Sequence, residues 1–156
     1  MDIDQQIQAL IDNAPNDGRT PNAIEAIAPA LKLIAAQLKH PQYYILQNLE
    51  QQWVMTTFNH PTQPELTKNV IQAFPTLKDA GSGPNLLKDP QIMAIPVPVV
   101  HILFQMMAMK TIDSIVFFEI AGNPRSTAEI SRQNFHDLIQ NYLQKMQTPP
   151  PPSDIA

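Results

Sequence analysis

One segment constrains the fold of this 156-residue chain more than any other: Ile95 to Glu119, with the sequence IPVPVVHILFQMMAMKTIDSIVFFE. Its apolar part approaches the length of a membrane-spanning helix, which needs about 20 apolar residues. Pro96, Pro98 and His101 interrupt that run. A proline disfavours helical geometry in the residue before it but suits the first turn of a helix. The sequence therefore predicts a core helix that begins near Pro98, and no membrane span.

Helical spacing places the polar residues of this segment on one side of the predicted helix. His101, Gln105 and Ala108 share a narrow stripe, because residues at i, i+4 and i+7 lie on the same face. Apolar residues occupy the remaining circumference, which indicates a helix buried on most sides. The run SIVFF, Ser114 to Phe118, follows after a short interval and is typical of a central strand buried on both faces.

The segments before this region predict two helices and a three-stranded meander. Asp2 is suited to cap a first helix, and Thr20-Pro21 indicates the start of a second. Pro29 lies inside the second pattern and is expected to kink or split it. Tyr43 to Phe58 is rich in aromatic and β-branched residues and predicts a hairpin connected by NLEQ, with a third strand from Asn69 to Phe74.

The C-terminal part predicts one more helix and then a tail. Ser126 and Glu129 fit the S-x-x-E capping box that precedes many helices. The final residues, TPPPPSDIA, suit neither helix nor sheet. We therefore expect an α+β (mixed α/β) fold: a small sheet of about four strands covered by N-terminal helices and a C-terminal helix. Residues 1–147 form the single domain, and residues 148–156 form a disordered Pro-rich tail.

Composition excludes several classes of function. The chain has no cysteine, which excludes a disulfide scaffold and a thiol nucleophile. Its net charge is −4 and it has no basic cluster, so neither nucleic acid nor an anionic membrane surface is an expected partner. The acidic start MDIDQQ does not resemble a signal peptide, which predicts a cytoplasmic protein. The four histidines show no metal-ligand spacing, so we expect no metal site and no cofactor.

The succession QWVMTTF, NVIQAFPTLKDA, IPVPVVHILFQMMA and IDSIVFFEIAGNP resembles the N-terminal-type domain of the SseB (serine-sensitivity enhancer) family. In that family a hairpin and a strand lead to a short turn, an apolar helix and a strand. The resemblance covers the chain from Gln52 to Arg125. It implies the fold of that domain, and it brings no catalytic residue to any position of this sequence.

Four residues are candidates for a binding site. Tyr43, Tyr44 and Trp53 gather on the predicted hairpin, where they form either a contact patch or the cover of a helix. His101 is a candidate because a buried imidazole can titrate near neutral pH. The alternative is that His101 lies on the polar edge of a core helix and bonds to water or backbone. No set of residues predicts catalysis.

Three functions are compatible with these features. The first is a non-enzymatic protein-interaction or adaptor module with an unidentified protein partner. The second is a small enzyme or ligand-binding domain with a pocket near His101. The third is an assembly or secretion chaperone. Because exposed aromatic patches often mark interfaces, a homodimer that uses the hairpin is a further expectation.

Overall fold

The computed structural model describes residues 2–59, 62–63, 65–81 and 90–147. These residues form five helices and a mixed sheet of six strands, which confirms the predicted α+β class. The predicted tail, 148–156, lies outside the described residues. The elements in chain order are α1 (Ile3–Asn13), α2 (Thr20–Ala35), β1 (Gln42–Gln47), β2 (Thr56–Asn59), β3 (Thr67–Phe74), α3 (Leu77–Gly81), β4 (Met93–Pro98), α4 (Val99–Ala108), β5 (Ser114–Ile120), β6 (Asn123–Ser131) and α5 (Arg132–Gln147).

The sheet has the strand order β4-β1-β3-β5-β6, and β2 lies beside β3. Strands β3 and β5 are parallel, whereas every other described pair is antiparallel. The prediction of about four strands was too low, because it missed β4 and β6. Strand β4 contains Pro96 and Pro98, which lack the backbone N–H that a strand uses for pairing. Its position at the edge of the sheet accommodates them.

The predicted hairpin between Tyr43 and Phe58 is present only near its turn, where Gln47 pairs with Trp53 in an antiparallel bridge and the Val54 N–H donates to the Leu46 carbonyl at 2.8 Å. Strands β1 and β2 lie one after the other along the same edge of β3, with Tyr44 opposite Phe74 and Thr56 opposite Val70. Between them, residues 48–52 form the turn of the short hairpin. The pairing with β1 stops there because Tyr44 and Ile45 pair with β3 on that edge, so β2 continues along β3 instead.

The predicted capping box at Ser126 and Glu129 was also wrong. Both residues lie in β6, and the last helix begins at Arg132. Strand β6 folds back onto β5 after Gly122, whose φ of 77° is easily adopted only by glycine among the common residues. An antiparallel partner satisfies the backbone groups of β5, and this gain outweighs a local preference for a helix start.

The helix starts agree with the sequence. Asp2 and Gln5 form a capping box at α1, and α4 begins at Val99 with Pro98 as its N-cap. Before α2, the Asp17 carboxylate accepts hydrogen bonds from the backbone of Thr20 and Arg19, and these bonds lower its pKa to about 2. Helix α2 continues through Pro29, so the predicted split does not occur.

The main core lies between one face of the sheet and four helices, α1, α2, α4 and α5. Helix α3 packs on the opposite face, where Leu46, Phe74 and Ala80 form a smaller cluster. The middle of α4 is fully buried, with Leu103 at 0% exposure, which confirms the predicted core helix. Within the described part of the chain, no helix has the length and apolar character needed to cross a membrane.

Candidate functional site

A cleft of about 660 Å³ opens between the helices and the β4 edge of the sheet. Its walls come from α1, the start of α2, α4, β4 and the loop 48–55. Drug-sized ligands are usually bound in sites of about 300–1,000 Å³ with apolar walls and a few polar groups. The residues that line the cleft are Gln6, Ala9, Leu10, Asn13, Ala14, Pro15, Thr20, Ile24, Gln47, Gln51, Trp53, Ile95, Pro96, Val97, Pro98, His101, Phe104 and Gln105.

His101 faces this cleft from the first turn of α4 and is half-buried. Its ring meets the indole of Trp53 edge to face, with ring centroids 6.5 Å apart and an interplanar angle of 64°. Burial lowers the pKa of His101 below its ordinary value of 6.5, so the ring is neutral at pH 7. A neutral imidazole offers one hydrogen-bond donor and one acceptor. In the described structure no protein group satisfies either one.

The loop 48–55 carries Trp53 and Gln51 to the cleft. The Asn48 side chain shapes this loop by accepting hydrogen bonds from the backbone N–H groups of Glu50 at 2.9 Å and Gln52 at 3.0 Å. Gln51 has a φ of 64°, in the left-handed region that non-glycine residues adopt at a cost. Strained residues of this kind occur preferentially at functional sites, where the surrounding structure holds them in place.

Three glutamine side chains in the cleft have no hydrogen-bond partner among the described residues: Gln47, Gln51 and Gln105. Gln6 differs from them, although it lines the same cleft. Its amide donates to the carbonyl of Pro41 at 2.7 Å and accepts the N–H of Val100 at 2.9 Å, so it joins α1 to the sheet and to α4. Asn13, the fifth amide of the lining, donates to the Ala9 carbonyl at 2.9 Å, so two amides of the cleft are structural and three are available to a ligand.

Among the described residues that line the cleft there is no Asp, Glu, Lys or Arg. Its polar groups are amides, one imidazole, one hydroxyl and the indole N–H of Trp53. Among the charged residues close to it in sequence, the Asp17 carboxylate caps α2, and Arg19 lines a separate small groove next to Ile139. The site therefore has hydrogen-bonding capacity without a counter-charge.

The structure separates the four residues that the sequence proposed for binding. Trp53 and His101 come together in the cleft. Tyr43 has 0% exposure and belongs to the main core, while Tyr44 lies on the other face of the sheet beside the smaller cluster. The three aromatic side chains therefore form no continuous surface, because neighbouring residues of a strand point to opposite faces.

A second polar group of residues, which the sequence did not predict, surrounds the buried carboxylate of Glu119. The Tyr43 hydroxyl donates a hydrogen bond to one carboxylate oxygen of Glu119, and the backbone N–H of Lys39 donates to the other at 2.9 Å. The His40 ring lies 2.7 Å from the Glu119 backbone carbonyl. The pKa of Tyr43 is raised, mainly by burial and to a smaller extent by the hydrogen bond to Glu119. The only indication of this group in the sequence is Glu119 itself, an acidic residue directly after the apolar run SIVFF.

This second group is structural. Glu119 is 6% exposed and Tyr43 is 0% exposed. Its hydrogen bonds connect the segment after α2 to the end of β5. A buried carboxylate needs such partners, because an unpaired charge in the core is strongly unfavourable. The group therefore fixes the chain path between α2 and β1.

A separate depression of about 450 Å³ lies where β3 and β5 begin. Part of its charge is paired within the protein. Lys68 forms an ion pair with Glu129, and Ser114 donates to the same carboxylate at 2.5 Å. The hydrogen bonds from Lys68 and Ser114 lower the pKa of Glu129. Arg132 donates to the backbone carbonyl of Met107 at 3.1 Å, but its buried Nε has no hydrogen-bond partner among the described residues. Most of these contacts join strand ends, and this depression is more polar and smaller than the cleft.

A metal site would need three or more His, Cys, Asp or Glu side chains close together. The residues that the structure describes contain no such group. Comparison with protein-family models, curated proteins and solved structures finds no match to this chain. The resemblance to the SseB N-terminal-type domain therefore stays a prediction. The geometry of the cleft is therefore the main indication of function, since a fold by itself does not specify an activity.

Proposed function

We propose that this chain is a small-ligand-binding domain whose site is the cleft that contains Trp53 and His101. One observation carries the proposal: His101, Gln47, Gln51 and Gln105 line one cleft and have no hydrogen-bond partner among the described residues. Gln6, in contrast, is buried and hydrogen-bonded within the protein, as buried polar groups normally are. Polar groups that line an apolar cleft and are not hydrogen-bonded within the protein are suited to a ligand.

Binding is favoured over catalysis because His101 has no carboxylate beside it to orient its ring. A general base is normally held in one tautomer by a second hydrogen-bonded group, and the one hydroxyl among the described lining residues, that of Thr20, donates to the Asp17 carboxylate at 2.8 Å. The alternative of a protein-interaction module depended on an exposed aromatic hairpin. With Tyr43 buried, that support is weaker than the support for the cleft. The homodimer and the cytoplasmic location stay predictions from the sequence.

Trp53 provides a direct test, because it is the single tryptophan of the chain. We expect that a set of small fragments at millimolar concentration contains members that change the fluorescence of Trp53. The change Gln105→Leu should weaken these members, since it removes one free amide from the lining. The matched control is Gln140→Leu, the same substitution at an exposed position of α5. Fragments that bind both variants equally, or a set with no binder, would contradict the proposal.

A further inference from the structure

The charge of the cleft determines which ligands it accepts. In the part of the chain that the structure describes, no residue that lines the cleft is an acid or a base with a permanent charge. A carboxylate or an amidinium that enters such a site loses hydration and meets no opposite charge in return. A neutral molecule of the same shape loses much less. The cleft therefore discriminates between ligands by charge before it discriminates by shape.

The walls of the cleft favour a ring. Trp53 and Phe104 contribute aromatic surfaces, and Pro96 and Pro98 contribute flat aliphatic ones. Aromatic side chains gain more from offset or edge-to-face contact with another ring than from contact with an aliphatic chain of equal area. The edge-to-face geometry of Trp53 and His101 already shows this preference within the protein.

The free polar groups favour an amide. Each side-chain amide of Gln47, Gln51 and Gln105 offers a carbonyl acceptor and an NH₂ donor side by side. A ligand amide presents the complementary pair and can form two parallel hydrogen bonds with one such glutamine. The neutral imidazole of His101 adds one donor and one acceptor.

We propose that the cleft binds uncharged, ring-bearing molecules that carry an amide-type donor and acceptor, and that it rejects anions and cations of the same shape. This inference rests on the proposed function, because it specifies the ligand class of the same site. It extends that function by excluding phosphorylated, carboxylated and cationic metabolites as ligands.

Three isosteric probes test the inference: benzamide, benzoate and benzamidinium. Binding to the full chain at pH 7.5 is followed by the NMR resonance of the Trp53 indole N–H, which is the single indole signal. We expect benzamide to shift this resonance, and both charged probes to bind at least about tenfold more weakly, given the cost of an unpaired charge. Benzamidinium is the stricter comparison, because a cation also attracts the Trp53 ring.

The variants separate the inference from the proposed function. Gln105→Leu should weaken benzamide binding, and Gln140→Leu should leave it unchanged; the indole resonance without ligand reports whether each variant is folded. If benzoate or benzamidinium binds as well as benzamide, the ligand class is wrong while the cleft still serves as a binding site. If none of the probes shifts the indole resonance up to its solubility limit, both proposals are overturned.

Discussion

The hydroxyl of Tyr43 donates a hydrogen bond to the carboxylate of Glu119, which lies 76 residues later in the chain. Tyr43 is in β1 and Glu119 is in β5, and β3 lies between these two strands. The contact is part of the core, where Tyr43 is fully buried and Glu119 is 6% exposed. It ties the first strand to the far half of the sheet and keeps the Glu119 charge satisfied.

Replacing Tyr43 with Phe should lower the free energy of unfolding by about 1.5–3 kcal/mol, because a hydrogen bond to a charged group is lost. Denaturant unfolding measures the change. Tyr44→Phe is the matched control, since the Tyr44 hydroxyl has no partner among the described residues, and it should change stability by less than about 0.5 kcal/mol. Equal effects of the two substitutions would contradict the role of the Glu119 contact.

Replacing Leu103 with Ala should cost about 2–5 kcal/mol, through lost apolar burial and the cavity that remains. Leu103 is fully buried in the middle of α4. Leu49→Ala provides the comparison, because Leu49 is 70% exposed and its truncation should cost less than about 0.5 kcal/mol. Chemical denaturation of both variants checks the prediction. A Leu103 variant as stable as the parent would show that α4 is not a core helix.

The fluorescence of Trp53 should depend on pH with a midpoint below 6.5, because a protonated imidazole quenches an adjacent indole and burial lowers the pKa of His101. His101→Gln should remove this dependence, whereas His136→Gln, at an exposed position of α5, should retain it. A midpoint at or above 6.5 would contradict the desolvation of the ring.

The lowered pKa of His101 also predicts how stability depends on pH. Below pH 6.5 the unfolded chain takes up a proton at this residue while the folded chain does not yet do so. The contribution of His101 therefore decreases as the pH falls from 6.5 towards the pKa in the folded state, and it is constant above 6.5. Comparison of unfolding free energies for the parent and His101→Gln between pH 5 and pH 8 isolates this contribution.

Replacing Gln51 with Gly should raise the free energy of unfolding by about 0.5–1 kcal/mol. The left-handed backbone costs a side-chain-bearing residue ~1–2 kcal/mol, which outweighs the ~0.4–1 kcal/mol that glycine adds to the freedom of the unfolded chain. Gln52→Gly lacks that compensation and should not stabilise the protein. If Gln51→Gly stabilises the fold but weakens benzamide binding, the strained residue contributes to the site.

Local patterns in the sequence predicted several elements, because each depended on residues that are close in the chain. The cap at Asp2, the helix start at Pro98 and the apolar run of β5 all occur where the sequence placed them. Burial of Leu103 followed from helical spacing alone. In each case the favourable interaction is with a neighbour within one or two turns, or with the core in general.

Strand pairing was decided by the tertiary structure. The segment that holds Ser126 and Glu129 matches a helix-start pattern, yet it pairs with β5 because that strand offers an open edge. Strand β2 pairs with β3 because β3 already occupies the edge of β1 at Tyr44 and Ile45, and only the end of β1 is open to the chain that leads to β2. A local pattern records which face of an element is apolar, and it contains no information on which other strand supplies the hydrogen bonds.

The candidate site shows the same division. The sequence by itself determined that His101 lies on the polar edge of a mostly buried helix. It also placed Trp53 in a β-rich segment, and it left open whether the indole is exposed or packs in the core. Only the tertiary structure decided that these two rings meet in one cleft, while Tyr43 turns into the core to satisfy Glu119. The physical reason is that a cleft forms where elements distant in sequence leave space between them, and that space depends on the packing of the whole chain.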